Sequence, residues 1–357
     1  MRDISEALDR WFAAGERVAL ATVISTWGSA PRPIGSKMAV ASGGDMAGSV
    51  SGGCVEGAVF EEAQGVMESG RAKVVRFGVS NESAWEVGLS CGGTIEIFIE
   101  ALAADTYATM KADLDAQNLF ARAVTVAIPD GDGGVLGAER FVRPDGSIDG
   151  DGSVDGDGSI DGDGPLGHPD VAARLAARFG TFGAERVTLD DGHQVFVETF
   201  PPRRRLVIVG AVHVAIPLVT FANSLGFHTI VVDPRTAFAT RERFPHAAEL
   251  DTRWPDAALE ELGIDENTFI ALLSHDFKLD LPALDVALKR PVRYLGALGS
   301  KKTHGKRVKA LEERGFDSET IGRIHNPIGL DLGGRRAEEI AVAVIAEMVA
   351  VDHGRNP

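Results

Sequence analysis

The sequence predicts an α/β chain in which an N-terminal α+β region is followed by a Rossmann-like, doubly wound parallel sheet. Three observations carry this expectation. From residue 206 onward, apolar runs at 206–210, 229–233, 269–274 and 292–299 alternate with helical patterns, the order that builds a parallel sheet with crossover helices. Upstream of residue 200 the apolar runs are β-branched and closed by glycine- and proline-rich turns, with fewer helical stretches between them. Between the two lies Pro201-Pro202-Arg203-Arg204-Arg205, where consecutive prolines interrupt regular structure. The 357 residues suffice for two domains, each with its own core. The expected organisation is 1–130, a connecting region at 131–202 holding an acidic insertion at 145–164, and 203–357.

Taken in order, Ile4, Leu8, Trp11 and Phe12 recur at helical spacing over 4–14, and Gly15 follows as a C-cap. The β-branched run 17–26 is a strand that delivers a rigid polar loop at 27–35, because Pro31 and Pro33 exclude a central strand there. Strands at 37–41 and 46–50 flank Gly43-Gly44, and Ser51-Gly52-Gly53 opens a helix over 54–68. Strands at 73–77 and 94–100, a helix at 106–117 and a strand at 121–128 follow. A helix at 169–179 precedes strands at 186–189 and 194–200, joined through the turn dipeptide Asp191-Gly192. Beyond the strand at 206–209 come a helix to 225 and further helices at 281–288, 305–314 and 337–350.

Three copies of Ser-Ile/Val-Asp-Gly-Asp-Gly stand in register at 147–152, 153–158 and 159–164. Alternating Asp and Gly resembles calcium-binding loops, but the closing glutamate of an EF-hand is missing and the period does not match a β-roll. The tract is too poor in apolar residues to order itself and reads as an insertion. Net charge is −16, and seven of the acidic residues lie between Asp145 and Asp163. A field of that sign repels nucleic-acid backbones and anionic membrane surfaces. Two cysteines are too few for a disulfide framework, the first twenty residues lack a signal-peptide pattern, and no apolar run could span a bilayer. A cytoplasmic protein with no nucleic-acid or membrane partner is expected.

The strand at 206–209 enters Gly210-Ala211-Val212-His213, and Asp233 lies near the offset of a ribose-binding acid. This is the outline of a first Rossmann unit. Its second glycine is replaced by Val212, whose Cβ stands where a pyrophosphate would approach the backbone, so NAD(P) binding is weakened. Ligands of such sheets sit beyond the carboxyl ends of the strands, which singles out Gly210, His213, Asp233, His275, Ser300 and Lys301. Ser300 and Lys301 at a helix start suit an anion such as phosphate, or else a plain N-cap and a surface lysine. Ser274, His275 and Asp276 are sequence neighbours and do not make a hydrolytic triad.

Cys54 falls in the first turn of an expected helix, where the partial positive charge favours thiolate. Cys91 sits in a second glycine-rich turn, Ser90-Cys91-Gly92-Gly93. Both loops admit a ligand close to the backbone, and together they would form a pocket for a soft or thiophilic centre rather than a zinc-finger site. The alternative is two small residues at tight turns.

These residues carry a resemblance. Val23-Ile24-Ser25-Thr26-Trp27-Gly28-Ser29-Ala30-Pro31-Arg32-Pro33-Ile34-Gly35-Ser36-Lys37-Met38, Gly48-Ser49-Val50-Ser51-Gly52-Gly53-Cys54-Val55-Glu56, Leu295-Gly296-Ala297-Leu298-Gly299-Ser300-Lys301, Asn326-Pro327-Ile328-Gly329-Leu330-Asp331 and Glu338-Glu339-Ile340-Ala341 resemble, in this order, the XdhC/CoxI family of xanthine dehydrogenase accessory proteins. The resemblance implies an XdhC-type N-terminal domain and a protein that binds molybdenum cofactor (molybdopterin). It also implies a chaperone that helps a cysteine desulfurase with sulfuration and passes the cofactor to an apo-molybdoenzyme of the xanthine dehydrogenase class. In that setting Cys54 and Cys91 would contact the metal or carry sulfur, the backbone at Gly52 and Gly53 would hold the phosphate, and Arg32 and Lys37 would add positive charge. The C-terminal domain would close over the ligand, and a homodimer is compatible with this reading. The competing reading is an NAD(P)-dependent oxidoreductase using the C-terminal crevice, and a third is a scaffold that only bridges desulfurase and client.

Overall fold

The computed structural model describes residues 1–30, 32–78, 93–129, 135–150, 153–154, 160–161 and 164–355. The chain divides into two compact units, Met1–Pro202 and Arg203–Pro357. In the first, helix α1 (Ser5–Ala13) packs Leu8 and Trp11 with Leu20 and Ala39. Strands β1 (Val18–Trp27), β2 (Lys37–Ala41), β3 (Met46–Gly48), β4 (Lys73–Gly78) and β5 (Thr94–Leu102) form an antiparallel sheet in the order β3-β2-β1-β5-β4. Residues 18–24 of β1 are all buried, which is why that run is apolar throughout rather than alternating. Helix α2 (Glu56–Ser69) covers one face with Val59, Ala63 and Val66.

A second antiparallel sheet follows helix α3 (Ala104–Asp115). Its strands are β6 (Phe120–Ala127), β7 (Glu139–Val142), β8 (Ile148–Gly150), β11 (Ala184–Thr188) and β12 (Gln194–Phe200), in the order β11-β12-β6-β7-β8. Strands β9 (Ser153–Val154) and β10 (Ile160–Asp161) pair separately, and helix α4 (Pro169–Thr181) contributes Val171 and Leu175 to the core beside β12. Ile24 and Phe98 of the first sheet meet Val124, Val126 and Phe196 of the second. Two buried ion pairs cross the same layer: Lys37 Nζ lies 2.6 Å from Glu198 Oε2, and Arg122 Nη2 lies 2.7 Å from Glu100 Oε2.

This arrangement corrects the expected connecting region at 131–202. Strand β6 is the middle strand of a sheet whose other four members all come from that stretch, so a boundary near 130 would cut the sheet beside its central strand. The rest of the repeated acidic tract, and Cys91, lie outside the described residues. A further correction concerns α2, which starts at Glu56 rather than at Cys54, because the loop before it is held in non-helical turns.

The second unit is the doubly wound sheet. Strands β13 (Arg205–Val209), β14 (His228–Val232), β15 (Glu249–Asp251), β16 (Thr268–Leu272) and β17 (Tyr294–Ala297) are all parallel, in the order β15-β14-β13-β16-β17. On one face lie α5 (Ala215–Ser224) and α10 (Ala337–Asp352). On the other lie α6 (Pro255–Glu261), α7 (Phe277–Ala287), α8 (Lys301–Glu312) and α9 (Ser318–Ile321). Helix α7 begins four residues before the expected start because Asp276 caps it, accepting from Lys278 N, and it continues through Pro282. Helix α8 likewise begins at the Ser300 cap. No helix among the described residues is long and apolar enough to cross a membrane.

Gly210 ends β13 with φ 106°, and a Cβ there would stand 2.8 Å from the Cα and N of Ser274 at the end of β16. Its bare backbone therefore closes the sheet between the two strands. Gly210→Ala is expected to cost more than about 2 kcal/mol, since it adds a clash with rigid backbone to an unfavourable φ. Gly226→Ala, with φ 81° and nothing within 4 Å of its Cβ, isolates the backbone effect at about 1 kcal/mol. Denaturant unfolding of both variants checks the difference, and equal losses would contradict the close approach.

Candidate functional site

The loops after β1 and β3 leave the end of the first sheet at which β5 begins. Strand β1 ends at Trp27 opposite Thr94, where β5 begins, and β3 ends at Gly48 opposite Met38, one residue into β2. Ala30, Val50, Val55 and Ile95 belong to one apolar cluster beneath these loops. A Cβ on Gly93 would stand 2.6 Å from Ser29 O, so the chain leaving the segment that contains Cys91 runs against the turn after β1. Trp27 is 74 % exposed at that end.

The loop 49–55 is organised by Glu56, the first residue of α2. Glu56 Oε1 accepts from Ser49 Oγ at 2.7 Å and from the backbone N–H of Ser51 and Gly52 at 2.9 and 3.0 Å, with a longer bond from Val50 N. Its Oε2 accepts from Gly53 N at 2.8 Å and from Ser51 Oγ. Ser51 Oγ in turn accepts from the N–H of Cys54 and Val55. Gly52 and Gly53 have φ of 78° and 117°, a sequence of turns that side chains resist and that aims successive N–H groups at one point. Burial opposes ionisation of Glu56, but the hydrogen bonds from Ser51, Ser49 and the backbone outweigh it and bring the carboxyl down to about 2.

The phosphate cradle expected at Gly52 and Gly53 is thus corrected: their N–H groups are filled by the chain's own carboxylate. Cys54 lies two residues before α2, not inside its first turn, with an exposed side chain at the tip of this locked loop. Sequence reasoning passed over Glu56, although an acidic residue at the start of a helix directly after the Ser51-Gly52-Gly53 turn was the available signal.

Beside these loops a cavity of about 300 Å³ is lined by Asp3, Arg32, Ile34, Lys37 and Glu198 among others. Lys37, expected to face a ligand, is instead buried, with its ammonium 2.8 and 2.6 Å from the two Glu198 oxygens. Arg32 lines the same cavity with its Nε–H buried and without an acceptor. Among the described residues, no group of three or more His, Cys, Asp or Glu could hold a metal ion.

In the parallel-sheet unit, Asp233 is fully buried. Its oxygens accept from Ala211 N at 2.8 Å, from Arg235 N and Nε at 2.9 Å and from Arg235 Nη2 at 2.7 Å. Burial opposes its ionisation, yet these bonds hold the carboxyl below its ordinary value. The expected ribose-binding role is corrected accordingly, since the acceptors are engaged inside the turn. Val212 packs partly buried against the core. His213 and His275 are exposed, the latter with φ 55°. Ser274 is buried and donates to Asp280 Oδ1 at 2.6 Å. Ser300 accepts from Thr303 N as the cap of α8, and Lys301 beside it is exposed.

With this geometry in place, likeness to known proteins is extensive. The profile of the XdhC and CoxI family matches residues 11–78, and that of the XdhC Rossmann domain matches 206–348. A protein of Bacillus subtilis (strain 168) described as a probable xanthine dehydrogenase subunit is 26 % identical over 351 residues, covering 98 % of this chain and 97 % of that protein. The molybdenum cofactor insertion chaperone PaoD of Escherichia coli (strain K12) is 29 % identical over 339 residues, covering 95 % and 84 %. A crystal structure described as a xanthine dehydrogenase from Bacillus halodurans superposes with a TM-score of 0.78 at 25 % identity, covering 98 % of this chain and 96 % of that one.

Because the folded Glu56 carboxyl is held below the ordinary glutamate value, the unfolded chain takes up the proton first on acidification. The stability it contributes is complete above the ordinary glutamate range and is lost as pH falls toward about 2. Melting of the wild type is therefore expected to weaken through this window more steeply than melting of Glu56→Gln. Parallel melting curves for the two proteins from pH 5 to about pH 2 would show that the carboxylate is not held as described.

Proposed function

The chain belongs to the XdhC and CoxI family, and from that membership we propose that it is a molybdenum cofactor chaperone. It binds the cofactor in the N-terminal unit, supports its sulfuration with a cysteine desulfurase, and hands it to an apo-molybdoenzyme of the xanthine dehydrogenase class in the cytoplasm. The observation that carries the reading is the exposed Cys54 on a loop whose backbone is held by six groups converging on Glu56. PaoD, which aligns with nearly all of this chain, supports it by its stated role in cofactor insertion.

Bound cofactor supplies a molybdenum centre held by the sulfurs of a phosphorylated pterin. The residues present fit such a group: Cys54 is a soft donor, and the buried Nε–H of Arg32 is a cationic donor without an acceptor. Cys54 would hold the metal or the sulfur destined for it, with Cys91 assisting. Arg32 meets the anionic part of the cofactor. Lys37, bonded to Glu198, shapes the cavity rather than binding the ligand. Rigidity matters here because a loop already held in its bound form loses little entropy when the ligand arrives. The role is carriage of the cofactor rather than turnover.

Molybdenum and pterin content decides this reading. The protein is to be purified anaerobically from cells competent in cofactor synthesis, alongside Cys54→Ala and Cys91→Ala. Near-stoichiometric cofactor in the wild type and its loss in Cys54→Ala are expected. A wild type that carries none, under conditions where an established carrier retains it, would overturn the proposal.

A further inference from the structure

Among the described residues of the second unit, every buried side-chain nitrogen or oxygen without a hydrogen-bond partner lies around one turn. These atoms are Arg307 Nε and Nη1, His304 Nδ1 and Asn326 Oδ1. The turn is Leu298-Gly299-Ser300, which carries the chain from β17 into α8. Native structures leave few buried polar atoms unpaired, so such a concentration at one place calls for a partner.

Arg307 is fully buried two turns into α8, and its side chain runs back toward the start of its own helix, as long helical side chains do. There Nη2 donates to Leu298 O at 3.2 Å and to Asp280 Oδ2 at 2.8 Å. The other Asp280 oxygen accepts from Ser274, so the carboxylate is satisfied while two guanidinium nitrogens are not. Asn326 reaches the same turn from beyond α9, donating from Nδ2 to Ala297 O at 2.7 Å and to Gly299 O at 3.4 Å. His304 is held toward its neutral form, by burial first and by the Arg307 charge second. Gly299 has φ 144°, and a Cβ there would stand 3.3 Å from Thr303 Cβ and Cγ2 and 3.9 Å from Arg307 Nη2, so the turn passes close to the guanidinium.

The same spot gathers further positive character. Helix α8 is 12 residues long, its first N–H groups point into the turn, and Lys301 and Lys302 are exposed there. It lies at the carboxyl ends of β16 and β17, where open parallel sheets take their ligands. We propose that the turn at Gly299 and Ser300 binds a phosphoryl group, with Arg307, the N–H groups at the start of α8 and Lys301 as its donors. A phosphoryl oxygen supplies the acceptor that Arg307 lacks, and a hydroxyl carried by the ligand supplies the donor that Asn326 Oδ1 lacks. The site belongs to the second unit alone and does not rest on the reading of Cys54.

Calorimetric titration of the full chain at constant ionic strength tests this with three probes: inorganic phosphate, ribose 5-phosphate and AMP, with adenosine as the uncharged control. Saturable binding of phosphate-bearing probes is expected, weakened at least about tenfold in Lys301→Glu, where an exposed cation becomes an anion. Arg307→Lys is expected to abolish binding, since lysine can keep the Asp280 contact but not the two bare donors. Should that variant fail to fold, Lys301→Glu still decides, because its side chain is exposed and a glutamate at the first position of α8 does not lower the melting temperature without ligand. Tighter binding of the esters assigns the site to a phosphate ester, and equal binding assigns it to free phosphate. No saturable binding to the wild type, or equal affinity in Lys301→Glu, overturns the proposal.

Discussion

A charge taken out of water must be met by an opposite charge or by hydrogen bonds, and this demand shapes both units of the chain. In the first unit it ties two sheets together. Lys37 of β2 reaches Glu198 of β12, and Arg122 of β6 reaches Glu100 of β5 and Glu139 of β7. Taking away one member of such a pair strands its partner in the interior, a loss of about 3–5 kcal/mol, whereas the apolar contacts of Ile24, Phe98 and Phe196 between the same sheets tolerate change more gradually. Gly35 belongs to this arrangement too: its Cβ would stand 3.2 Å from Glu198 Oε1, so the glycine leaves room for the glutamate that holds Lys37. Part of the motif at 25–37 is therefore structural.

The same demand reinterprets cradles that look ready for ligands. Glycine turns that converge N–H groups are anion sites by geometry, whichever anion fills them. At 50–53 the occupant is Glu56, and at the end of β13 Asp233 accepts from Ala211 N. In both places the chain supplies its own carboxylate and gains rigidity from it. The turn after β17 differs, because there the internal carboxylate, Asp280, is already shared between Ser274 and Arg307 and donors are left over.

What the sequence makes legible follows from which interactions are local. Strand β2 at 37–41, strand β12 at 194–200 and the alternation that builds the parallel sheet are short-range patterns of period and turn residue, and they are read correctly. The family is legible for the same reason, since its motifs are contiguous. The partners of buried charges are not contiguous: Glu198 is 161 residues from Lys37, and Asp280 is 27 residues from Arg307. Lys37 thus looks like a ligand residue until Glu198 is seen, whereas Asp233 is claimed close by, by Ala211 N and by Arg235 two residues on, bonds that the Rossmann spacing does not announce. The start of α2 is misread for a subtler reason. Glycines at positive φ before Cys54 hold the loop in a form that helical periodicity does not register.

The acidic repeat gains a physical meaning from where it enters the fold. Its first copy contains β8, which ends the strand order of the second sheet and, among the described residues, pairs only with β7. An edge strand presents unpaired backbone groups to any passing chain and is the usual starting point for strand-by-strand aggregation. Here that edge is three residues long and adjoins the densest negative charge in the sequence. A second molecule approaching edge to edge brings the same charge with it, so electrostatic repulsion opposes the docking of two open sheet margins, most effectively at low salt.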